Sequence, residues 1–415
     1  MQPTKATVTQ CVMKVLYTLN AKSPDLRPFL LQFFPQRILE ALTRQANELT
    51  LISRAFYSDN LGSYAKYLTE TLEYDRMLPQ NSGVEGWEVA MKLARRWAYS
   101  TGRVSGDKAV VLFPEGNFGG RTLGAISAST DPASYAGFGP LLPGIRHVPF
   151  GDASAVEAAL AADPNIIAFF AEPIQGEAGI VIPPPDYFPR VKAACERAGA
   201  LLVADEVQTG LGRTGALLAS HTTGTRPDIV VLGKALGGGV LPVSAILASH
   251  AIMLSIRPGE HGSTFGGNPL ANAVAEASLR VVVEEDLSRN ARERGVEVRA
   301  ALSALCGRYP KVLKESRGIG LMNACELHAD ACDETGAHIS ARDVCVGLGE
   351  AKERFSLPLG LLAKPTHEHT IRLTPPLVIT QEEVGLAMDI LGEVLERLVK
   401  GGGARRGKRE GGNGP

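Results

Sequence analysis

The sequence has no excess of either charge and no long apolar run. Its 43 Lys and Arg residues nearly balance 44 Asp and Glu residues, which gives a net charge of −1 over 415 residues. We therefore expect no general attraction to nucleic acid or to anionic membranes. No apolar run is long enough to span a bilayer, so a soluble protein is expected.

Cysteine is scarce and is not clustered. The six cysteines include no CxxC pair, so no metal site is predicted, and reduced thiols indicate an intracellular protein. The first 24 residues have three lysines and no acid, which resembles a transit peptide, but they lack its usual arginines. Both the cytoplasm and the mitochondrial matrix stay open as compartments.

The composition that is present suits a globular protein with a large core, since 45% of the residues are hydrophobic and 21% are charged. Apolar runs of strand length alternate with helical patterns, which predicts right-handed βαβ units and a mostly parallel sheet. We expect a large domain over 36–289 and a smaller α+β domain over 290–400. Residues 1–35 fit neither domain, and the basic, glycine-rich tail 401–415 is predicted to be disordered.

The stretch from Leu201 to Gly239 carries the strongest chemical signal. Two apolar runs, LLVA and DIVVLG, are directly followed by Asp205 and Lys234, respectively. Ligands bind at the carboxyl ends of strands in such sheets, so the two side chains can face one ligand. Pyridoxal phosphate (PLP) chemistry needs a lysine that forms a Schiff base and a carboxylate that keeps the pyridine nitrogen protonated. The alternative is a surface lysine and a helix-capping aspartate.

Other segments add candidates of lower specificity. A turn at 81–83 precedes a helical pattern, and backbone N–H groups at such a helix start bind anions well, although an ordinary capped helix is the alternative. Phe118 could stack on a cofactor ring or belong to the core. Glu172 and Glu177 follow a further strand. A nucleotide site is not predicted, because the glycines after Lys234 lack G-x-G-x-x-G spacing and no Walker motif precedes them.

Taken together, these motifs resemble the class III, or ω-amino, PLP-dependent aminotransferases of fold type I. The resemblance extends from about Arg37 to about Lys400 and rests on LPQNSGVE, GNFGGRTL, AEPIQGEAG, DEVQTGLGRTG, LGKALGGG and PGEHGSTFGGNPL. Within the class, GNFGGRT, STDPASYAGFGP and AKPTH are similar to the members that act on ornithine. The resemblance implies an α/β fold: a mostly parallel, seven-stranded sheet flanked by helices, plus a smaller α+β C-terminal domain.

The resemblance also implies roles for residues around the cofactor ring. Lys234 would hold the PLP aldehyde as a Schiff base, Asp205 would pair with the pyridine nitrogen, and Gln208 would bond the ring hydroxyl. Phe118 and Val207 would enclose the ring on its two faces.

The phosphate would be bound from two subunits. The N–H groups of Gly83 and Val84 would bind it within one chain. Ser263 and Thr264 would reach the phosphate of the neighbouring subunit's cofactor, which implies a homodimer or a higher homo-oligomer.

Three further positions would bind the substrates. Arg121 would bind a carboxylate, and Glu177 would pair with Arg372 as a switch that selects which amine reacts. The implied reaction moves the δ-amino group of L-ornithine to 2-oxoglutarate and gives glutamate 5-semialdehyde and glutamate. The alternatives are transamination of acetylornithine or 4-aminobutyrate, a semialdehyde aminomutase, or an impaired dimer that only binds PLP.

The N-terminal segment departs from the family. Members carry a stretch similar to YSAVNQGH, with substrate-contacting tyrosines, before the first matching helix. Residues 1–35 contain one tyrosine, Tyr17, and the sequence around it does not match that stretch. We expect either a translation start further upstream or a divergent segment, and we expect the chain as written to bind PLP normally and to turn over ornithine poorly.

Overall fold

The computed structural model describes residues 36–53, 55–357 and 359–401. The N-terminal segment 1–35 and the tail 402–415 lie outside these residues, and so do the expectations attached to them. None of the helices described combines the length and the hydrophobicity needed to traverse a bilayer.

Seven strands form one large sheet. They are β1 Arg76–Gln80, β2 Val110–Pro114, β3 Ile145–Val148, β4 Ile166–Ala171, β5 Leu201–Asp205, β6 Ile229–Leu232 and β7 Ser244–Ala248. Their order across the sheet is β1-β7-β6-β5-β4-β2-β3. Neighbouring strands are parallel except where β7 pairs with β1 and with β6. The predicted mostly parallel, seven-stranded sheet is confirmed.

Helices pack on both faces of the large sheet. The helices up to residue 284 are α1 Gln36–Glu48, α2 Asp59–Leu72, α3 Gly83–Ser100, α4 Leu123–Ser127, α5 Pro132–Tyr135, α6 Ala153–Ala162, α7 Tyr187–Ala198, α8 His250–Met253 and α9 Pro269–Glu284. In β4, IIAFFA, all six residues are buried, as a strand covered on both faces requires. Its Phe170 packs with α3 and its Phe169 packs with α6 and α7, on the opposite face.

A second, antiparallel sheet lies in the C-terminal part. Its strands are β8 Leu313–Ile319, β9 Met322–Leu327, β10 Lys364–Thr366 and β11 Thr370–Leu373, in the order β10-β11-β9-β8. Four helices accompany it: α10 Leu287–Arg308, α11 Ala341–Gly349, α12 Ala351–Phe355 and α13 Gln381–Val399. The smaller α+β unit expected from the sequence is thus present.

The run GIGLMNACEL is two strands, where its apolar character indicates one. It divides at Gly320, whose φ of +57° allows the chain to reverse between Ile319 and Met322. A Cβ at Gly320 would lie 2.5 Å from the carbonyl carbon of Thr214, so this turn also packs closely against the chain that follows β5. The hairpin therefore packs the small sheet against the segment that follows β5 of the large sheet.

Candidate active site

A cavity of about 630 Å³ opens at the carboxyl ends of β5 and β6. The predicted cofactor-binding residues of a single chain line it, together with Arg121 and Glu172; they are Gly83, Val84, Phe118, Asp205, Val207, Gln208 and Lys234. Such a position outside the carboxyl ends of parallel strands is where α/β sheets bind ligands.

Lys234 leaves β6 and begins a 3₁₀ turn over Lys234–Gly237. Its φ of +42° lies in the left-handed region, which costs a residue with a Cβ about 1–2 kcal/mol. Burial lowers the pKa of its amine to about 8, although the negative charges of Asp205 and Glu177 oppose this shift. About a tenth of the amine is therefore uncharged at pH 7, and the uncharged amine is the form that attacks an aldehyde.

Asp205 is the last residue of β5 and is only 6% exposed. Its Oδ1 accepts a hydrogen bond of 3.0 Å from the N–H of Val207. Burial raises the pKa of Asp205 to about 6, while this N–H and the amine of Lys234 act to lower it. At neutral pH the carboxyl is mainly an anion in a site of low polarity, where its charge acts strongly on a nearby proton donor.

The start of α3 is a helix N-terminus with a complete capping box. Ser82 Oγ accepts from the N–H of Glu85, and Glu85 Oε2 accepts from the N–H of Ser82. A helix leaves the N–H groups of its first turn without acceptors, and the Ser82 side chain binds only one of them here. The N–H groups of Gly83 and Val84 can therefore bind an anion. A Cβ at Gly83 would lie 3.0 Å from Val207 Cγ1, so glycine keeps this cradle open.

Glu172 joins two parts of the site, a role that the sequence did not indicate. It is buried, and its two oxygens each accept a 3.1 Å hydrogen bond, from the N–H of Phe118 and from the N–H of Gly176. Burial, aided by the charge of Asp205, raises the pKa of Glu172 to about 8. The carboxyl group therefore fixes both the aromatic residue of the cavity wall and the turn that carries Glu177.

Glu177 and Arg372 form the predicted ion pair, with 3.0 Å between Glu177 Oε1 and Arg372 Nη2. Neither residue lines the cavity; they lie beyond Gln208, since a Cβ at Gly176 would be 2.5 Å from the Gln208 side chain. Arg372 is 6% exposed and its Nη1 donates to the Gly176 carbonyl. Among the described residues, its Nε has no hydrogen-bond partner.

A second cation, Lys364, also holds Glu177, with 2.7 Å between Lys364 Nζ and Glu177 Oε2. Burial would raise the pKa of Glu177, but Arg372 and Lys364 together hold it below its usual value. Sequence reasoning missed Lys364, although it lies in the AKPTH motif. The motif identified this segment, but a motif does not show which distant residue each of its side chains contacts.

Ser263 and Thr264 do not line the cavity of their own chain. Ser263 Oγ accepts from Asn81 Nδ2 at 3.1 Å, next to the start of α3, and Thr264 is exposed. Arg121 is exposed at the cavity mouth, where its guanidinium lies 5.5 Å from the centroid of the Phe118 ring and its Nη1 donates to Ser134 Oγ. The structure thus places Arg121 with the site and the serine–threonine pair on the surface beside it.

The sequence of residues 33–395 matches the model of the family Aminotransferase class-III. The chain belongs to the class-III aminotransferases. It is 48% identical to the mitochondrial ornithine aminotransferase of Oryza sativa subsp. japonica over 87% of this chain and 74% of that one.

Solved structures of other aminotransferases have the same fold. The ornithine aminotransferase of Toxoplasma gondii, with PLP partially occupying its active site, is 43% identical, with a TM-score of 0.81 over 87% of this chain and 81% of that one. The acetylornithine aminotransferase of Elizabethkingia anophelis is 41% identical, with a TM-score of 0.75 over 87% and 85%.

Class-III aminotransferases use PLP, and the cavity of this one fits that cofactor. Lys234 offers a partly uncharged amine, and Asp205 offers a buried anion from the neighbouring strand. The α3 N-terminus offers anion-binding N–H groups on the same cavity wall. The side chains of Phe118 and Val207 supply apolar surface between these polar groups, as a flat aromatic ligand requires.

Proposed function

We propose that this class-III aminotransferase transfers the δ-amino group of L-ornithine to 2-oxoglutarate, giving glutamate 5-semialdehyde and glutamate. The observation that carries the proposal is the ion pair between Glu177 and Arg372 beside the cavity. An unpaired arginine there would attract the α-carboxylate of any amino acid and favour reaction at the α-amine. Glu177 masks that charge, so an amine without an adjacent carboxylate can react.

PLP, when bound, supplies an aldehyde that takes up the substrate amine and a ring that accepts the electron pair of the broken C–H bond. Lys234 would hold the cofactor and, once its amine is free, move the proton at the reacting carbon. Asp205 would keep the pyridine nitrogen protonated, and Gln208 would bond the ring hydroxyl. The first-turn N–H groups of Gly83 and Val84 would bind the phosphate.

The two substrates place different groups near Arg372. Ornithine presents an uncharged methylene next to its δ-amine, and 2-oxoglutarate presents its α-carboxylate. Glu177 stays on Arg372 for the first substrate and leaves it for the second. The unused Nε of the buried Arg372 supports this role, since a carboxylate in that position would satisfy it. Arg121, at the cavity mouth, would bind the carboxylate at the far end of the substrate.

The assembly that we propose is a homodimer in which Ser263 and Thr264 complete the phosphate site of the partner. Two observations support it. Ser263 borders the α3 N-terminus, and neither Ser263 nor Thr264 lines the cavity of its own chain. Phe56, Tyr57, Phe138 and Phe265 are more than half exposed, so their apolar side chains are available to a partner chain.

The test measures both half-reactions in single turnovers of the PLP-bound enzyme, with ornithine, acetylornithine, 4-aminobutyrate and glutamate as amine donors. We expect ornithine to react fastest and to yield the semialdehyde. In E177A the rate with glutamate relative to that with ornithine should rise about ten- to hundredfold, because a charged hydrogen bond no longer masks Arg372.

A control is available in the small sheet, where Glu326 also accepts from a lysine and an arginine, Lys314 and Arg317. E326A should leave the ratio of the two rates unchanged. Faster turnover of acetylornithine than of ornithine by the wild-type enzyme would instead indicate that this enzyme has the activity of the Elizabethkingia anophelis relative. An unchanged ratio in E177A would remove the switch.

A further inference from the structure

Glu177 is shared between two cations, and the reaction proposed above gives a role to only one of them. Lys364 Nζ is bonded to one carboxylate oxygen at 2.7 Å, and Arg372 Nη2 is bonded to the other at 3.0 Å. Each cation thus has its own oxygen, so one contact can break while the other remains.

The backbone places the two cations side by side. Lys364 in β10 and Arg372 in β11 are direct partners in an antiparallel pair, so their side chains project from the same face of the ribbon. The side chain of Lys364 is 35% exposed and that of Arg372 is 6% exposed. Glu177 therefore spans from a buried arginine to a lysine nearer the solvent, and one two-stranded ribbon carries both cations.

The switch needs a place for Glu177 when Arg372 takes a substrate carboxylate. A carboxylate that leaves its cation inside a partly buried site loses a charged hydrogen bond and must be solvated again. We propose that Lys364 is a positioning residue that retains Glu177 after Arg372 releases it, and so sets the balance of the switch in favour of the dicarboxylate substrate. This inference rests on the function proposed above.

The net charge of the three side chains also predicts that Lys364 favours the binding of a carboxylate at Arg372. Lys364, Glu177 and Arg372 together carry a net charge of +1, whereas Glu177 and Arg372 alone would be neutral. Without Lys364 the whole charge of Glu177 would act on Arg372, and the released carboxylate would have no partner. Both effects strengthen the mask over Arg372 and weaken the binding of an incoming carboxylate.

The experiment uses the PLP-bound enzyme and glutarate, a dicarboxylate that has neither an amino nor a keto group and so cannot react. Calorimetry of K364M should give a dissociation constant for glutarate that is about ten- to hundredfold higher, and the KM for 2-oxoglutarate should rise similarly. The rate of the ornithine half-reaction should stay within about twofold of wild type, since Arg372 stays masked there. K364R keeps a cation at this position and should restore most of the affinity.

The matched control is K314M, which removes the lysine of a similar pair, Lys314 Nζ to Glu326 Oε1 at 2.7 Å, in the same small sheet. It should leave glutarate binding unchanged. In an E177A background, K364M should change the glutarate dissociation constant by no more than about threefold, because no carboxylate remains to be retained.

Three outcomes would overturn the proposal. Unchanged glutarate affinity in K364M would show that the lysine does not bias the switch. An equal loss of affinity with and without Glu177 would assign Lys364 to general attraction of anions. A lower Tm with unchanged affinity would assign it to structure alone. If wild type fails to use ornithine while the glutarate pattern holds, the substrate is wrong and the role of Lys364 stands.

Discussion

At the scale of single residues, burial controls the charges around the catalytic lysine candidate. It raises the pKa of Glu172 to about 8 and that of Asp205 to about 6, and it lowers that of Lys234 to about 8. Burial raises the pKa of both carboxyl groups; the charge of Asp205 adds to the rise at Glu172, whereas the N–H of Val207 and the amine of Lys234 limit the rise at Asp205. At neutral pH Asp205 carries the negative charge and Glu172 is mainly protonated.

The raised pKa of Glu172 predicts a pH dependence of stability. A carboxyl group with a higher pKa in the folded state stabilises the fold fully below its unfolded pKa and loses this contribution as the pH rises through its folded pKa. For Glu172 this window runs from about 4.5 to about 8. The free energy of unfolding of wild type, relative to that of E172Q, should fall across the window by up to about 1.4 kcal/mol per pH unit.

Unfolding by guanidinium chloride at several pH values between 5 and 8 measures this difference. The E172Q substitution also changes the free energy of unfolding by an amount that does not vary with pH, because an amide group cannot accept hydrogen bonds from both Phe118 and Gly176 as the carboxyl group does. Only the slope with pH reports the titration. A difference that does not vary with pH would show that Glu172 is ionised throughout the window.

At the scale of elements, the α3 N-terminus depends on the loop that follows β2. Gly120 in this loop has a φ of +132°, and a Cβ there would overlap Val84 Cγ2. G120A should therefore displace Val84 and its N–H, and the dissociation constant for PLP should rise at least about tenfold if that N–H binds the phosphate. Spectroscopic titration of cofactor-free protein with PLP measures the change.

The control for this variant is G137A. Gly137 also has a positive φ, of +82°, but a Cβ there would meet no atom within 4 Å. G137A therefore has the backbone strain of about 1–2 kcal/mol without the collision. Equal PLP affinities in G120A and G137A would mean that Val84 does not contribute to the phosphate site.

Much of this secondary structure can be predicted from the sequence. Asp205 and Lys234 could be placed because each follows an apolar run of strand length, and the start of α3 because the turn at 81–83 precedes a helical pattern. In the large sheet, two strands were missed. β1 and β3, RMLPQ and IRHV, are short and have no clear alternation of apolar residues, so only pairing with their neighbours makes them strands.

The environment of Glu177 lay beyond sequence reasoning for a related reason. Its partner Lys364 belongs to a three-residue strand, and the two residues are bonded although they lie far apart in the chain. The turn at Gly320 likewise depends on close packing against Thr214. Motifs identify which residues take part, whereas tertiary contacts decide which of them meet.

At the scale of the whole molecule, one buried arginine joins the cavity to the C-terminal part of the chain. Arg213 lines the cavity, and its Nη1 donates to the carbonyl groups of Leu321, at 3.1 Å, and Pro375, at 2.5 Å. Burial lowers the pKa of this guanidinium to about 10. The turn between β8 and β9 and the segment after β11 are therefore fixed to the same group that borders the site.

The proposed dimer predicts complementation between two inactive chains. A K234A chain keeps Ser263 and Thr264, and an S263A/T264A chain keeps Lys234. If the hydroxyl groups serve the partner's site, a mixed dimer has one complete site and should regain about half the activity of a wild-type dimer. Co-expression with two affinity tags, followed by purification of the mixed dimer and assay, measures this.

The opposite assignment of Ser263 and Thr264 predicts a different result in the same experiment. If Ser263 and Thr264 serve their own site, the mixed dimer has no complete site and stays as inactive as its parents. Sedimentation of the wild-type protein as a monomer would contradict the dimer itself.

The reversed direction of β7 has a consequence for the order in which the protein can be built. Through β7, the edge strand β1 is joined to the sheet by pairs such as Gln80 with Ser244, about 160 positions apart in the chain. During synthesis, β1 leaves the ribosome long before its partner exists, and the α3 N-terminus follows directly after it. The anion-binding end of the pocket therefore gains its strand partner only after Ala248 has been made, past the midpoint of the 415 residues, and until then β1 has no neighbour in the sheet to hold it.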